Sequence, residues 1–246
     1  MSLLRGMLHL HSSFSYDGHH TVREMAGFFR YRGYQFIALT EHDNDFDQEK
    51  MIEFIRACQD ASSESFAVIP GLEFRCRDTV HILGIGLQSF QRVDDPLKAV
   101  KLIKKQGGLA VLAHPRGYEG RVTDELIRSL DGVEIWNGQK DSRFIPHYRA
   151  LLAFRRFRDS NPHLLPLPGS DLHRLSAYFP CDLWVEAPRP EPSTILRALK
   201  EGKFSVRGRY WKEDGSAGAL WEIVLLFGLR HSMDAIRYLR DRIRGH

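Results

Sequence analysis

The chain has 246 residues, 43% hydrophobic and 27% charged, which is ordinary globular material and excludes a disordered or fibrous chain. Its three cysteines, Cys58, Cys76 and Cys181, stand far apart with no C-x-x-C pair, which argues against a disulfide framework or a thiolate zinc site and points to a reducing cytoplasm. The net charge of +4 is uneven: residues 197–246 carry 11 Lys/Arg against 6 Asp/Glu, a balance of +5 that leaves −1 elsewhere, an excess small enough for a solvated face rather than a polyanion-binding surface.

In chain order, Thr21 and Glu24 form a capping box, and Val22, Met25, Ala26 and Phe29 make an apolar stripe ending at Gly33, so a helix is expected. Apolar runs at 36–40 and 67–72 read as strands. Between them Asp47 opens a helix with Met51, Phe54, Ile55 and Cys58 on one face. Asp95-Pro96 opens a third helix that stops at Gly107-Gly108, before a strand over 109–113. The pattern then predicts helices over 123–130, 142–158 and 193–200, and strands over 132–136, 164–169 and 182–186. Near the end, Trp221, Ile223, Leu225 and Phe227 alternate as in a short strand or turn. After them Ser232 is placed to cap a helix whose Ile236, Leu239 and Ile243 oppose Arg237, Arg240, Arg242 and Arg244. That segment is expected to pack on the body of the protein rather than lie on a membrane. The run 219–229 is interrupted by Glu222 and too short to span a bilayer, and no leader-like stretch opens the chain, so a soluble protein is expected. About seven strand–helix units imply a parallel sheet, and a closed barrel fits better than an open sheet because polar clusters follow nearly every strand.

Those clusters are His9-Leu10-His11 with Asp17, Glu41-His42-Asp43, Glu73 with His81, His114-Pro115, and Asp171-Leu172-His173. Alternate residues of an extended strand point the same way, so His9 with His11, and Asp171 with His173, can each aim at one point. That is metal-site geometry. His147, His163 and His231 are lone histidines and receive no role, whereas His19 and His20 follow the Asp17-Gly18 turn and lie near the mouth.

The ordered series of HxH, Asp-Gly, Thr40 to Asp43, Gly71 to Glu73, His81, Ala113 to Pro115 and Ser170 to His173 resembles the PHP domain, the polymerase and histidinol phosphatase family. The resemblance covers residues 7 to 207 and implies a distorted TIM-like (β/α)₇ barrel, with 208–246 as a C-terminal extension. It further implies two or three divalent metals: one on His9, His11, Glu73 and Asp171, a second on Glu73, His81 and His114, and a third on Asp17, His42 and His173. Glu73 would bridge the first two. The chain departs from the usual family pattern at Met7 and Glu41, where Asp is commoner; both are expected to stand behind the ligands, where they could hold an imidazole's tautomer. Between His114 and Asp171 there is room for two plain strand–helix units and no inserted domain.

Nitrogen and oxygen ligands without sulfur suit zinc, manganese or iron(II). Paired ions can hold a hydroxide for in-line attack at phosphorus, which gives His9, His11, Glu73, His114 and Asp171 a catalytic role through the metals. The expected substrate is a phosphate ester: a small phosphorylated metabolite, a nucleotide or an oligonucleotide end. Arg116, Lys140 and Arg143 are the cations placed on its oxygens, with Arg75 and Arg77 behind them. An amidohydrolase-like hydrolase would need a bridging lysine, and none follows 69–70 or 112–113. A non-catalytic PHP binding module should have lost ligands, and here none is missing.

Overall fold

In the structure, a computed structural model that describes residues 2–116, 118, 120–141, 145–208, 212–213 and the isolated positions 225, 228, 229 and 232, the capping signals produce the helices. Thr21 accepts from the Glu24 amide while Glu24 Oε2 accepts from the Thr21 amide at 2.7 Å, and helix α1 (Val22–Tyr31) buries Val22, Met25, Ala26 and Phe29. Asp47 and Asp95 cap α2 (Gln48–Ala61) and α3 (Pro96–Lys105) by accepting from the amides of Lys50 and Lys98. Three more helices follow, α4 (Asp124–Ser129), α5 (Tyr148–Ser160) and α6 (Pro192–Lys200).

The strands are β1 (Ser2–Leu10), β2 (Phe36–Leu39), β3 (Glu41–His42), β4 (Ala67–Ile69), β5 (Gly71–Arg75), β6 (His81–Ile85), β7 (Leu109–Leu112), β8 (Gly132–Asn137), β9 (Leu165–Gly169), β10 (Cys181–Ala187), β11 (Phe204–Gly208) and β12 (Lys212–Glu213). They form two mixed six-stranded sheets, β12-β11-β10-β1-β2-β4 and β3-β5-β6-β7-β8-β9. The expectation of a parallel sheet is therefore corrected. No ladder among the described residues closes a barrel, and β6 runs antiparallel to both neighbours, as β10 does to β1 and β11.

The runs expected at 36–40 and 67–72 are each broken, at Thr40 and Pro70, and there the chain passes from one sheet into the other. Pro70 has no N–H to give a ladder, but its carbonyl accepts from the amides of Gly86 and Leu87. Across the molecule, Leu10 and Leu172 form an isolated parallel bridge that ties β1 to the segment after β9. Successive residues divide between two cores: Phe36 and Ala38 join one, Ile37 and Leu39 the other. Strands buried on both faces in this way explain their continuous apolar runs. Helices α1 to α5 supply the outer core, and Ile195, Ala198 and Leu199 of α6 cover part of the inner one.

The helix expected over 142–158 starts later, because His147 Nδ1 accepts from the Arg149 amide at 3.1 Å and caps it; 142–144 lie outside the described residues. Most of the tail segment 219–246 also lies outside them. Leu225, Gly228, Leu229 and Ser232 are helical, and Ser232 donates to the Gly228 carbonyl at 3.0 Å, so it sits within a helical turn instead of capping one, and Leu225 is not in a strand. No helix among the described residues is long and apolar enough to cross a membrane.

Candidate metal centre

Strand direction gathers the polar clusters at one edge. His9 lies near the end of β1 and His11 just past it, His42 pairs with Glu73 across β3 and β5, and His114 follows β7. Because β6 is antiparallel, its first residue, His81, falls at that same edge, opposite Arg75. Asp171 and His173 lie just past β9.

Plain strand alternation does not aim these side chains, contrary to expectation. His9 has φ 59 inside a register shift between Met7 and Leu10, Asp171 has φ 54 and His114 φ 29. These are three of the five non-glycine residues with positive φ among the described residues. A left-handed residue costs about 1–3 kcal/mol and persists only where its surroundings hold it, so the strain is concentrated on the candidate ligands.

Glu73, buried at 2% exposure, is the hub. Its Oε1 lies 2.7 Å from His81 Nδ1 and 3.2 Å from His114 Nε2. Its Oε2 lies 3.1 Å from His42 Nδ1 and 3.5 Å from Nε2 of both His9 and His11. Asp171 Oδ1 approaches the same two imidazole nitrogens at 3.6 Å. Asp17 closes the other side, 3.3 Å from Nε2 of His42 and of His173. Burial opposes the charge on Glu73, but His9, His114, His42 and His81 outweigh it and hold its pKa well below the carboxylate range. Burial also opposes charge on His9, yet Glu134, Glu73 and Asp171 raise its pKa well above the imidazole value. His11 goes the other way, pushed well down by burial and then, against the pull of Glu73, by His9, His173 and His42.

Second contacts fix the tautomers. Glu134 Oε1 takes the Nδ1 proton of His9 at 2.6 Å, while Oε2 accepts from the amide of His114 at 2.7 Å and from Asn137 Nδ2 at 3.1 Å. Ser15 donates to Glu41 Oε2 at 2.5 Å, so its oxygen accepts from the His42 amide at 3.0 Å and faces His11 Nδ1 at 3.2 Å. Tyr118 Oη stands 2.9 Å from His114 Nδ1. Each arrangement leaves Nε2 of His9, His11 and His114 turned to the centre. Glu41 thus supports the site as expected, though through Ser15. Met7 does not; it is buried in the outer core, and Glu134 does what was expected there. Sequence reasoning missed Glu134, Ser15 and Tyr118. Only Glu134 left a signal, a lone carboxylate inside the apolar strand 132–136.

The residues fit divalent cations. His9 Nε2 and His11 Nε2 are buried with no hydrogen-bond partner, a loss of about 1–3 kcal/mol each that a cation between them and Glu73 would remove. Three groups bring ligand atoms within 4.8 Å of one another: His9, His11 and Glu73; Glu73, His81 and His114; and His11, His42 and His173. The donors are imidazole and carboxylate, and all three cysteines are buried and free.

Beside His81 and His114 is a cavity of about 270 Å³ that Arg116, Asn137, Lys140 and Asp141 also line. Arg116 donates to the Lys140 carbonyl at 2.6 Å and lies 3.8 Å from Asp141 Oδ1, and Lys140 Nζ is 3.7 Å from Asp171 Oδ2. Burial lifts the Asp141 pKa to about 6, against the Asn137 amide and Arg116. Arg77 is turned away, paired with Asp95 at the start of α3 at 2.5 Å, while the Arg75 side chain is exposed. Arg143 lies outside the described residues. His19 and His20 sit at the rim, where the His19 amide donates to the His173 carbonyl, and His147 caps α5.

Comparison with curated proteins gives no match. Among solved structures, a two-domain protein from Bacteroides vulgatus containing a "predicted PHP-like metal-dependent phosphoesterase" superposes with a TM-score of 0.63 at 20% identity, over 84% of this chain and 65% of that one. PsfC from Pseudomonas syringae gives a TM-score of 0.59 at 13% identity, covering 95% of this chain and 99% of that one. An amidohydrolase from Chromobacterium violaceum with bound sulfate gives 0.54 at 18% identity, covering 81% and 96%. These likenesses concern the fold, and the chain spans 65% of the two-domain protein's length. The sequence model of the PHP domain matches residues 7–137, the stretch that runs from β1 through Glu73 and His114 to the end of β8, and on that match the chain belongs to the PHP domain family.

Proposed function

We propose that the chain hydrolyses phosphate esters with divalent ions held in three groups. His9, His11, Glu73 and Asp171 hold one, Glu73, His81 and His114 a second, and Asp17, His42 and His173 a third. The observation that carries this reading is Glu73 set between five imidazoles, with buried nitrogens of His9 and His11 left without partners. Divalent ions there supply Lewis acidity and a water of near-neutral pKa for attack at phosphorus. Glu134, Ser15 and Tyr118 keep the imidazoles aimed. Arg116 and Lys140 neutralise the phosphoryl oxygens, the Lys140 ammonium standing at the edge of the ligand group by Asp171.

Residues 1–207 form the PHP unit in this reading, with 208–246 a C-terminal extension. In the same reading the two sheets are the walls of a distorted TIM-like barrel, supported by the passage of the chain between them at Thr40 and Pro70 and by the Leu10–Leu172 bridge. The test is hydrolysis of p-nitrophenyl phosphate after reconstitution with zinc, manganese or iron(II). Turnover that Glu73→Gln abolishes is expected. Metal-loaded protein inert towards a panel of phosphate mono- and diesters would exclude the activity.

A further inference from the structure

Next to the cavity at the metal centre lies a second hollow of about 360 Å³ between α4 and α5. The two share Pro115 and Tyr118 as a wall. Val122, Ile127, Leu152 and Phe157 form the apolar part of its lining, beside Tyr148, and Leu152 is left 39% exposed. Arg149 and Arg156 stand at the rim against one carboxylate, Asp124. Tyr118 belongs to both spaces, with a ring only 7% exposed and a hydroxyl 2.9 Å from His114 Nδ1.

We propose that this groove is the subsite for the alcohol portion of the phosphate ester, and that the alcohol is an apolar, ring-bearing group; the inference rests on the phosphoesterase reading above. Arg116 and Lys140 line the first cavity together with His114, so an ester whose phosphoryl group sits there extends its organic part across the shared Tyr118 wall. An aromatic ring buries apolar surface against Leu152 and Phe157, which a sugar or glycerol, with few apolar atoms to bury, does not. In the reaction, a water oxygen bonds to phosphorus and the bond from phosphorus to the alcohol oxygen breaks with its electron pair on that oxygen. One proton of the water ends on the alcohol.

The experiment compares phenyl phosphate with 2-naphthyl phosphate, whose phenols are of similar acidity, so that the bond broken is nearly the same. The metal-loaded protein is expected to show a KM about five- to tenfold lower for the naphthyl ester. Leu152→Ser and Ala153→Trp should each erase that preference while the metal content of the protein stays that of the wild type. The substitution at Leu152 is at an exposed position and keeps the test valid if Ala153→Trp fails to fold. A preference that survives in Leu152→Ser, or a wild-type protein that hydrolyses phenyl phosphate with no preference, overturns the subsite and leaves the phosphoesterase reading standing. If Tyr16→Ala removes the preference instead, the organic group lies against Tyr16, which is 69% exposed and stacked on His42 at 5.2 Å, and the groove assignment is wrong. Turnover of neither ester, nor of any phosphate mono- or diester of the panel above, sinks the phosphoesterase reading and this subsite with it.

Discussion

The Glu134 carboxylate on β8 lies over Gly169 on β9, whose ladder partner is Asn137, and a Cβ at Gly169 would stand 1.7 Å from Glu134 Oε1. The missing side chain at 169 is therefore what lets a buried carboxylate reach His9. Gly169→Ala should displace that carboxylate, with a loss of about 1–3 kcal/mol in stability by urea denaturation and weaker metal binding. Glu134→Ala should keep the fold by circular dichroism yet lower metal affinity about 10- to 100-fold in chelator competition. Unchanged affinity in both variants would remove Glu134 from the support of the site.

Asp141 gives a pH dependence. Its folded pKa is raised to about 6 from the ordinary 3.8, so its contribution to stability is full below the unfolded value and is lost as pH rises through about 6. Asp141→Asn should therefore stabilise the protein by about 1–3 kcal/mol at pH 8 and not at pH 4, as measured by urea unfolding at the two pH values. A variant equally destabilised at both would mean that Arg116 fully compensates the buried charge.

Arg116 is held by the Lys140 carbonyl at the cavity wall, where the proposed function sets a phosphoryl oxygen. Arg116→Ala should reduce kcat/KM for a phosphomonoester by about 2–4 kcal/mol of transition-state stabilisation, with Arg116→Lys restoring part of it. Metal content should stay the same. Wild-type kinetics in the alanine variant would move the anchor to Lys140.

What the sequence disclosed depended on whether a residue's role is local. The capping box at Thr21 and the stripe through Phe29 act within one helix, and both stand in the structure as written. The clusters from His9 to His173 were visible as clusters because polar residues ended apolar runs, and they meet around Glu73. Their aim was not visible, since left-handed φ at His9, His114 and Asp171 is imposed by tertiary contacts rather than residue type. The reversal of β6 was available but overlooked. Only residues 76–80 join Arg75 to His81, far short of the dozen or so a parallel crossover needs. Ser15 and Tyr118 could not be singled out, because a serine or tyrosine that orients an imidazole looks like any other until the fold brings the two together.

Glu73 is where the metal assignment is most exposed to test. Elemental analysis of the reconstituted protein and its Glu73→Gln variant should give two or three divalent ions per wild-type chain, matching three groups of which two share Glu73. The variant should lose at least one ion and its phosphoesterase activity while its circular dichroism stays unchanged, because none of the candidate ligands belongs to either apolar core. Less than one ion per wild-type chain, or the same count in the variant, would contradict a metal centre built on Glu73.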